Sequence, residues 1–209
     1  MLLPTRCPLC RRQGPAPCRS CAADLRPAPV AEPPPGLDAC ACLLDYHGGG
    51  SAVVASLKFA GQHALVSWLA PRLAALVGGL DVDVVTWAPT SAPRRRARGF
   101  DQAELLATAV GRGLGVGAVC RLRRVDPGGQ AGRARAERLD AVRFAAWGVA
   151  GARVVVVDDV VTTGATMSAA SRALREAGAR SVVGLVAART PPASGGRSTP
   201  SGVRQVHVG

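Results

Sequence analysis

Aromatic side chains make up only 3% of this 209-residue chain. That scarcity argues against a broad base-stacking platform for single-stranded nucleic acid. Lysine is almost missing: of 26 basic residues, all but Lys58 are arginine. No apolar run reaches the roughly 20 residues that a membrane-spanning helix needs. The opening MLLPTRC holds no apolar stretch long enough for a secretory signal. The expectation is a soluble, cytoplasmic protein. In that compartment seven cysteines point to a metal or to free thiols rather than to disulfides.

What is present is a chain with 48% hydrophobic residues, enough for one α/β domain and a small appendage. The net charge of +12 favours polyanions, either nucleic acid or phosphorylated small molecules. Ala, Gly, Val and Arg dominate throughout, so compositional drift is the other source of that charge.

Four of the cysteines fall in two C-x2-C pairs, CPLC at Cys7–Cys10 and CRSC at Cys18–Cys21. A redox reading would explain one pair and not two. Four thiolates from two tight turns give a closed tetrahedral Zn²⁺ site with a structural role, on Cys7, Cys10, Cys18 and Cys21. Residues 1–26 are therefore expected to form a zinc-binding module. Residues 27–36 (PAPVAEPPPG) read as a stiff Pro-rich linker. The body should occupy 37–190, and 191–209 a low-complexity, mobile tail. Cys40, Cys42 and Cys120 read as buried small apolar residues.

Within the body, apolar β-branched runs alternate with helical spacing. Val53–Phe59 is apolar, and Ala64–Val77 has the spacing of a helix. Val82–Trp87 predicts a strand, Ala92–Arg98 a basic loop and Gln102–Leu114 a helix. Arg121–Arg143 is basic around a Gly-rich turn, Pro127–Gly132. Arg153–Val157 predicts a strand, Met167–Ala177 a helix ended by Gly178, and Ser181–Ala187 another strand. Such alternation implies a parallel sheet with helical crossovers.

The segment VVVVDDVVTTGAT, Val154–Thr166, carries the chemistry. A buried strand, a loop with Thr and Gly, and a helix start together form an anion site, because first-turn N–H groups and the helix dipole point at the ligand. Gly164 lets the backbone approach closely. Thr162, Thr163 and Thr166 add hydroxyl donors. The paired carboxylates Asp158 and Asp159 would repel a phosphate but suit two vicinal hydroxyls, as on a ribose. The plain alternative, an Asp capping an ordinary helix, does not account for two Asp, three Thr and a Gly in this order. Arg94, Arg95, Arg96 and Arg98 form a second feature. They can close over pyrophosphate and offset its charge, or grip a nucleic-acid backbone. Lys58, as the one ammonium retained, either marks a place where a compact cation is needed or survives by chance.

The Val154–Thr166 pattern resembles the phosphoribosyl-pyrophosphate fingerprint of type I phosphoribosyltransferases. The resemblance implies a parallel sheet flanked by helices, with a hood over the acceptor site. It implies ribose hydroxyls on Asp158 and Asp159, and a 5-phosphoribosyl-1-pyrophosphate site over Asp158, Asp159, Val160, Val161, Thr162, Thr163, Gly164, Ala165 and Thr166. Mg²⁺ would accompany the pyrophosphate. Hypoxanthine–guanine members carry Asp at the place of Thr162, whose hydroxyl cannot act as a base near neutral pH. The whole chain from Cys7 to about Arg189 resembles the ComF family, which joins a four-Cys zinc motif to such a domain and is associated with DNA uptake. The shared stretches are CPLC/CRSC, LKFAG at Leu57–Gly61, RARGFDQAELLA at Arg96–Ala107, the phosphoribosyl loop, and Gln130 followed by Arg138. The implied pyrophosphate and flexible-loop set is Lys58, Arg94, Arg95, Arg96, Arg98, Gly99 and Gln102. The chain departs from the family at Thr86-Trp87-Ala88-Pro89, which has one Pro, and at Asp101 and Ala141, where the family has Asn. Two readings stay open. One is a donor-binding protein of DNA uptake with a basic single-stranded-DNA face. The other is an active transferase acting on a nucleobase or amine.

Overall fold

The computed structural model describes residues 6–59, 63–125 and 142–191. The Gly-rich turn Pro127–Gly132, Gln130, Arg138, Ala141, the Ala60–Gly61 end of LKFAG and the tail beyond residue 191 lie outside the described residues. In chain order the elements are α1 (Arg19–Ala23), β1 (Ala39–Asp45), α2 (Gly49–Ser56), α3 (His63–Val77), β2 (Val84–Trp87), α4 (Ala92–Arg98), α5 (Gln102–Gly113), β3 (Leu122–Arg124), β4 (Phe144–Ala146), β5 (Arg153–Val161), α6 (Ala165–Glu176) and β6 (Ser181–Arg189). β1, β6, β5 and β2 form one sheet in that order, and every pairing is parallel. β3 and β4 make a separate antiparallel ribbon.

The run of four valines in β5 follows from burial on both faces. Val155 and Val157 pack with Leu65, Leu69, Leu73, Leu106 and Val110 from α3 and α5. Val154 and Val156 pack with Met167, Ala170 and Leu174 of α6 and with Leu122 and Phe144 of the ribbon. The result is a parallel sheet flanked by helices, as expected from the alternating pattern.

Three expectations need correction. β5 does not stop at Val157: its ladder with β6 continues through Asp158↔Val186 and Val160↔Ala188 to Val161↔Arg189, so the two carboxylates sit on a strand. The basic segment Ala92–Arg98 is a helix. None of its residues is buried, so it shows no apolar periodicity. Pro93 in its first turn and Gly99 at φ 79° past its end mark its limits. Cys120 is exposed rather than buried, and Cys40 and Cys42 are half-buried.

The Pro-rich segment lies along the outer edge of β1. Pro27 bridges Leu44 in antiparallel sense, Ala28 N–H donates to Leu43 O at 3.1 Å and Asp45 N–H to Arg26 O at 3.0 Å. The segment then crosses to α6. Ser171 Oγ bonds Gly36 O, and Asp38 accepts from Arg175 and, at 2.7 Å, from Val182 N–H. Leu25 joins the core beside α2, with Leu9 packed against it.

The close approach of α2 to β1 depends on one glycine. A Cβ on Gly50 would lie 1.8 Å from the carbonyl oxygen of Asp45. That is backbone, which cannot swing aside. Gly50→Ala is therefore expected to destabilise the fold by roughly 2–4 kcal/mol. A denaturant midpoint unchanged from wild type would contradict this packing.

Candidate functional site

Parallel strands place their following connections at one sheet edge, so the β1–α2, β2–α4 and β5–α6 connections share the side where ligands of open α/β sheets bind. At the end of β5, Asp158 is only 9% exposed. Its Oδ1 accepts from Asp159 N–H at 2.8 Å. Burial, then the charge of Asp159 and that of Asp101, hold the Asp158 carboxyl well above the usual carboxylate range. Asp159 is half-buried, and Gln102 Nε2 donates to its Oδ2 at 3.4 Å. Gln102 is 4% exposed, and its Oε1 has no partner among the described residues. An acceptor in that position needs a donor to offset desolvation.

Asp101 has a local role. It caps α5, accepting from Ala103 N–H at 3.0 Å through Oδ1 and from Thr90 N–H at 2.8 Å through Oδ2. It thereby ties the β2–α4 connection to the helix that carries Gln102. A carboxylate performs this capping as well as an amide would.

Beyond Val160, which is half-buried, and Val161, which is buried, the loop opens. Thr162, Thr163 and Ala165 are exposed and Thr166 is half-buried. Gly164 is the N-cap of α6 at φ 80°, with no side-chain cap. Only Thr163 Oγ1, at 3.4 Å, reaches back to Ala165 N–H. The first turn of the 12-residue α6 thus presents N–H groups to an anion. One side of Gly164 is closed: a Cβ there would come 2.9 Å from Pro34 Cγ.

α4 carries the arginines along the edge next to β5, since β2 ends with Trp87 paired to Val157. Arg94, Arg95 and Arg96 are exposed and Arg98 is half-buried. Arg95 faces Glu104 at 3.7 Å, a loose pair. Gly99 ends the helix. Among the described residues, no ion pair joins these arginines to Asp158 or Asp159. Half-buried Lys58 follows α2, and among the described residues no hydrogen bond or ion pair links its side chain to the loop. One residue that the sequence reading passed over stands beside the site. Arg189 is 4% exposed and pairs with Val161 across the sheet. Its signal was an arginine closing an apolar strand.

At the N-terminus, the ligand atoms of Cys7, Cys10, Cys18 and Cys21 lie within 4.8 Å of one another. Cys10 Sγ and Cys18 Sγ are 3.7 Å apart. A tetrahedral zinc with bonds of about 2.3 Å places its sulfurs about 3.8 Å apart, so the cluster can hold a metal such as zinc. Cys18 N–H donates to Cys7 Sγ at 3.4 Å, a contact that favours thiolate. The Cys18 thiol is drawn down to about 6, first by Ser20 and then by Cys21.

Residues 116–199 match the family model of the phosphoribosyl transferase domain. The phosphoribosyl transferase match takes in β3 to β6 and the whole Val154–Thr166 loop, and it leaves β1, β2, Asp101 and Gln102 outside. No curated protein matches the chain. Among solved structures, it is similar to an allosteric regulatory enzyme of purine biosynthesis (23% identity, TM-score 0.44). It is likewise similar to glutamine phosphoribosylpyrophosphate amidotransferase from B. subtilis complexed with ADP and GMP (23%, 0.43). In both cases the likeness covers 64% of this chain and 30% of that one. Adenine phosphoribosyltransferase from Thermoanaerobacter pseudethanolicus is similar at 22% identity over 64% of this chain and 72% of its own, with a TM-score of 0.40. The chain thus spans under a third of the first two proteins. Among the described residues, no helix is long and apolar enough to cross a membrane.

Proposed function

We propose that this chain binds 5-phosphoribosyl-1-pyrophosphate at the end of β5, as a phosphoribosyltransferase-type protein of the ComF kind. One observation supports this most: a buried carboxyl, Asp158, beside a second one, Asp159, on a strand that leads into an open, uncapped loop. Asp158 and Asp159 accept from the two ribose hydroxyls. The loop Thr162–Thr166 and the first turn of α6 take the 5′-phosphate. The unpartnered Gln102 Oε1 receives a donor from the ligand. Mg²⁺, when bound with the pyrophosphate, offsets its charge, and the arginines of α4 stand on that side. Calorimetric titration with the donor and Mg²⁺ tests the reading. Micromolar binding that ribose 5-phosphate competes away supports it, and no heat at millimolar donor refutes it.

The same arginines favour a second role, contact with single-stranded DNA in uptake. Arg94, Arg95 and Arg96 on α4, Arg123 on β3 and Arg143 just before β4 are all exposed. Few aromatics are available, so phosphate contacts must supply the affinity. Binding should then fall with salt at a log–log slope of about −0.7 per phosphate contacted. Replacing Arg94, Arg95 and Arg96 by Ala is expected to flatten that slope by roughly one to two units. Gel shifts over a salt series check it. A slope that stays unchanged while donor binding is lost would assign the helix to pyrophosphate alone.

A further inference from the structure

β1 carries two thiols that neither the donor site nor the metal cluster uses. Cys40 and Cys42 are two residues apart, so they project from the same face of the strand. Their sulfurs are 3.8 Å apart. Both are half-buried and pack against the apolar cluster that includes Met167 and Leu37. The guanidinium of Arg189, which is 4% exposed, is near enough for its charge to favour the Cys40 thiolate. Its Nη1 donates to Glu32 O at 3.1 Å, and its Nε has no partner among the described residues. Among the described residues no ion pair offsets this buried cation, which lacks a counter-charge there. The thiol pair beside it can supply that charge as a thiolate.

We propose that Cys40 and Cys42 form a reversible redox pair, oxidised by a hydroperoxide to an intrastrand disulfide, with Arg189 stabilising the reactive thiolate. The interaction with Cys42 and the Arg189 charge draw the Cys40 thiol down, against the effect of burial. In this scheme Cys40 is the attacking sulfur and Cys42 its resolving partner. Its thiolate attacks one peroxide oxygen, giving a sulfenic acid and releasing hydroxide. The Cys42 sulfur then attacks the Cys40 sulfur. The sulfenic oxygen leaves as water with the Cys42 proton, so the peroxide is reduced as the two thiols are oxidised. The strand permits closure at a strain. Residues two apart on one face of a strand stand roughly 6.6 Å apart at Cα and at Cβ, and a disulfide spans only about 3.5–4.5 Å between Cβ atoms, so closure needs β1 to bend locally. A bond closed under strain is more easily reduced, which suits a reversible site. This proposal does not depend on the donor-binding reading.

The test is peptide mapping of the metal-loaded full chain. Cleavage before Asp38 and before Asp45 isolates residues 38–44, which contain Cys40 and Cys42 and no other cysteine. After brief exposure to stoichiometric hydrogen peroxide, that peptide is expected to lose about 2 Da and to regain it with dithiothreitol. The Cys42→Ser variant removes the resolving thiol. Its Cys40 should accumulate as a sulfenic acid that dimedone traps. Both free thiols surviving in the wild-type peptide while other thiols in the chain are consumed would overturn the proposal. So would direct conversion to sulfinic acid with no disulfide. If Cys42→Ser fails to fold, the mass loss and its reversal in wild type still decide the matter.

Discussion

Replacing Asp158 by Asn is expected to stabilise the fold and to weaken donor binding together. The folded state holds the Asp158 carboxyl well above its ordinary range, through burial and the neighbouring Asp159 and Asp101 charges. A group whose folded value is raised contributes stability below the unfolded value. That contribution is lost as pH rises through the folded value. Near neutral pH and above, the native site therefore carries an unfavourable buried acid. Asparagine removes it, and its Oδ1 can still accept the Asp159 N–H that Asp158 accepts now. We expect a gain in stability at pH 8 that shrinks toward zero at pH 4. For a chain of this size, each kcal/mol moves the melting temperature by about 2–4 °C. Donor affinity should fall roughly 10- to 100-fold, as loss of a charge-assisted hydrogen bond to a ribose hydroxyl implies, and further when Asp159→Asn is added. Melting curves at the two pH values, paired with calorimetric titration, measure both effects. A variant less stable at pH 8, or one that binds donor as the wild type does, would remove Asp158 from its assigned place. The trade of stability for binding is the usual mark of a ligand site.

Metal removal is expected to reach beyond the cysteine cluster. Structural zinc in small four-ligand modules contributes about 10–16 kcal/mol of apparent binding free energy that is also folding free energy. Residues around Cys7–Cys21 should lose their order when a chelator strips the metal. Leu9 and Leu25, however, pack against the body: a Cβ on Gly49 would lie 2.8 Å from Leu9 Cδ2 and 2.7 Å from Leu25 Cδ2. Burying one leucine is worth about 1.5–3 kcal/mol. Loosening this contact should lower the melting temperature of the rest of the chain by about 3–12 °C. Differential scanning calorimetry with and without chelator measures it. Cys18→Ser should reproduce the shift and leave chelator with nothing further to remove. An identical main transition in both states would show that the module and the body are energetically independent.

Much of the sheet was legible because burial on two faces writes itself as uninterrupted valine. β5, β6 and β2 were readable for that reason, and α5 and α6 for their apolar stripe. What escaped were features set by partners rather than by local pattern. The extension of β5 through Asp158 and Val161 depends on the β6 ladder reaching Arg189, which nothing near Asp158 announces. α4 buries nothing, so no periodicity could reveal it. The residues proposed for the donor loop were chosen from their types and order, and they span the end of β5 and the start of α6. Asp101 was read as a departure from a family pattern, whereas its place at the start of α5 shows a carboxylate filling a capping role. Arg189 enters the site through its ladder pairing with Val161 and Pro34 through its approach to Gly164, long-range contacts that single-sequence reading has no access to.

The docked proline segment also bears on how the protein stays dispersed. A four-stranded parallel sheet has two outer strands, each able to recruit a strand from another molecule. Here β2 is shielded by Ala118, which bridges Val85, by Val119 N–H, which donates to Val85 O at 2.9 Å, and by the backbone of Arg121, which bonds the Thr86 hydroxyl. β1 is shielded by residues 26–28, where Pro27 cannot itself offer a donor to an incoming strand. A chain trimmed to begin near Leu37 would keep the donor loop intact and leave the apolar ACACLLD edge open. Such a fragment should associate through its sheet edge at concentrations where the full chain stays dispersed.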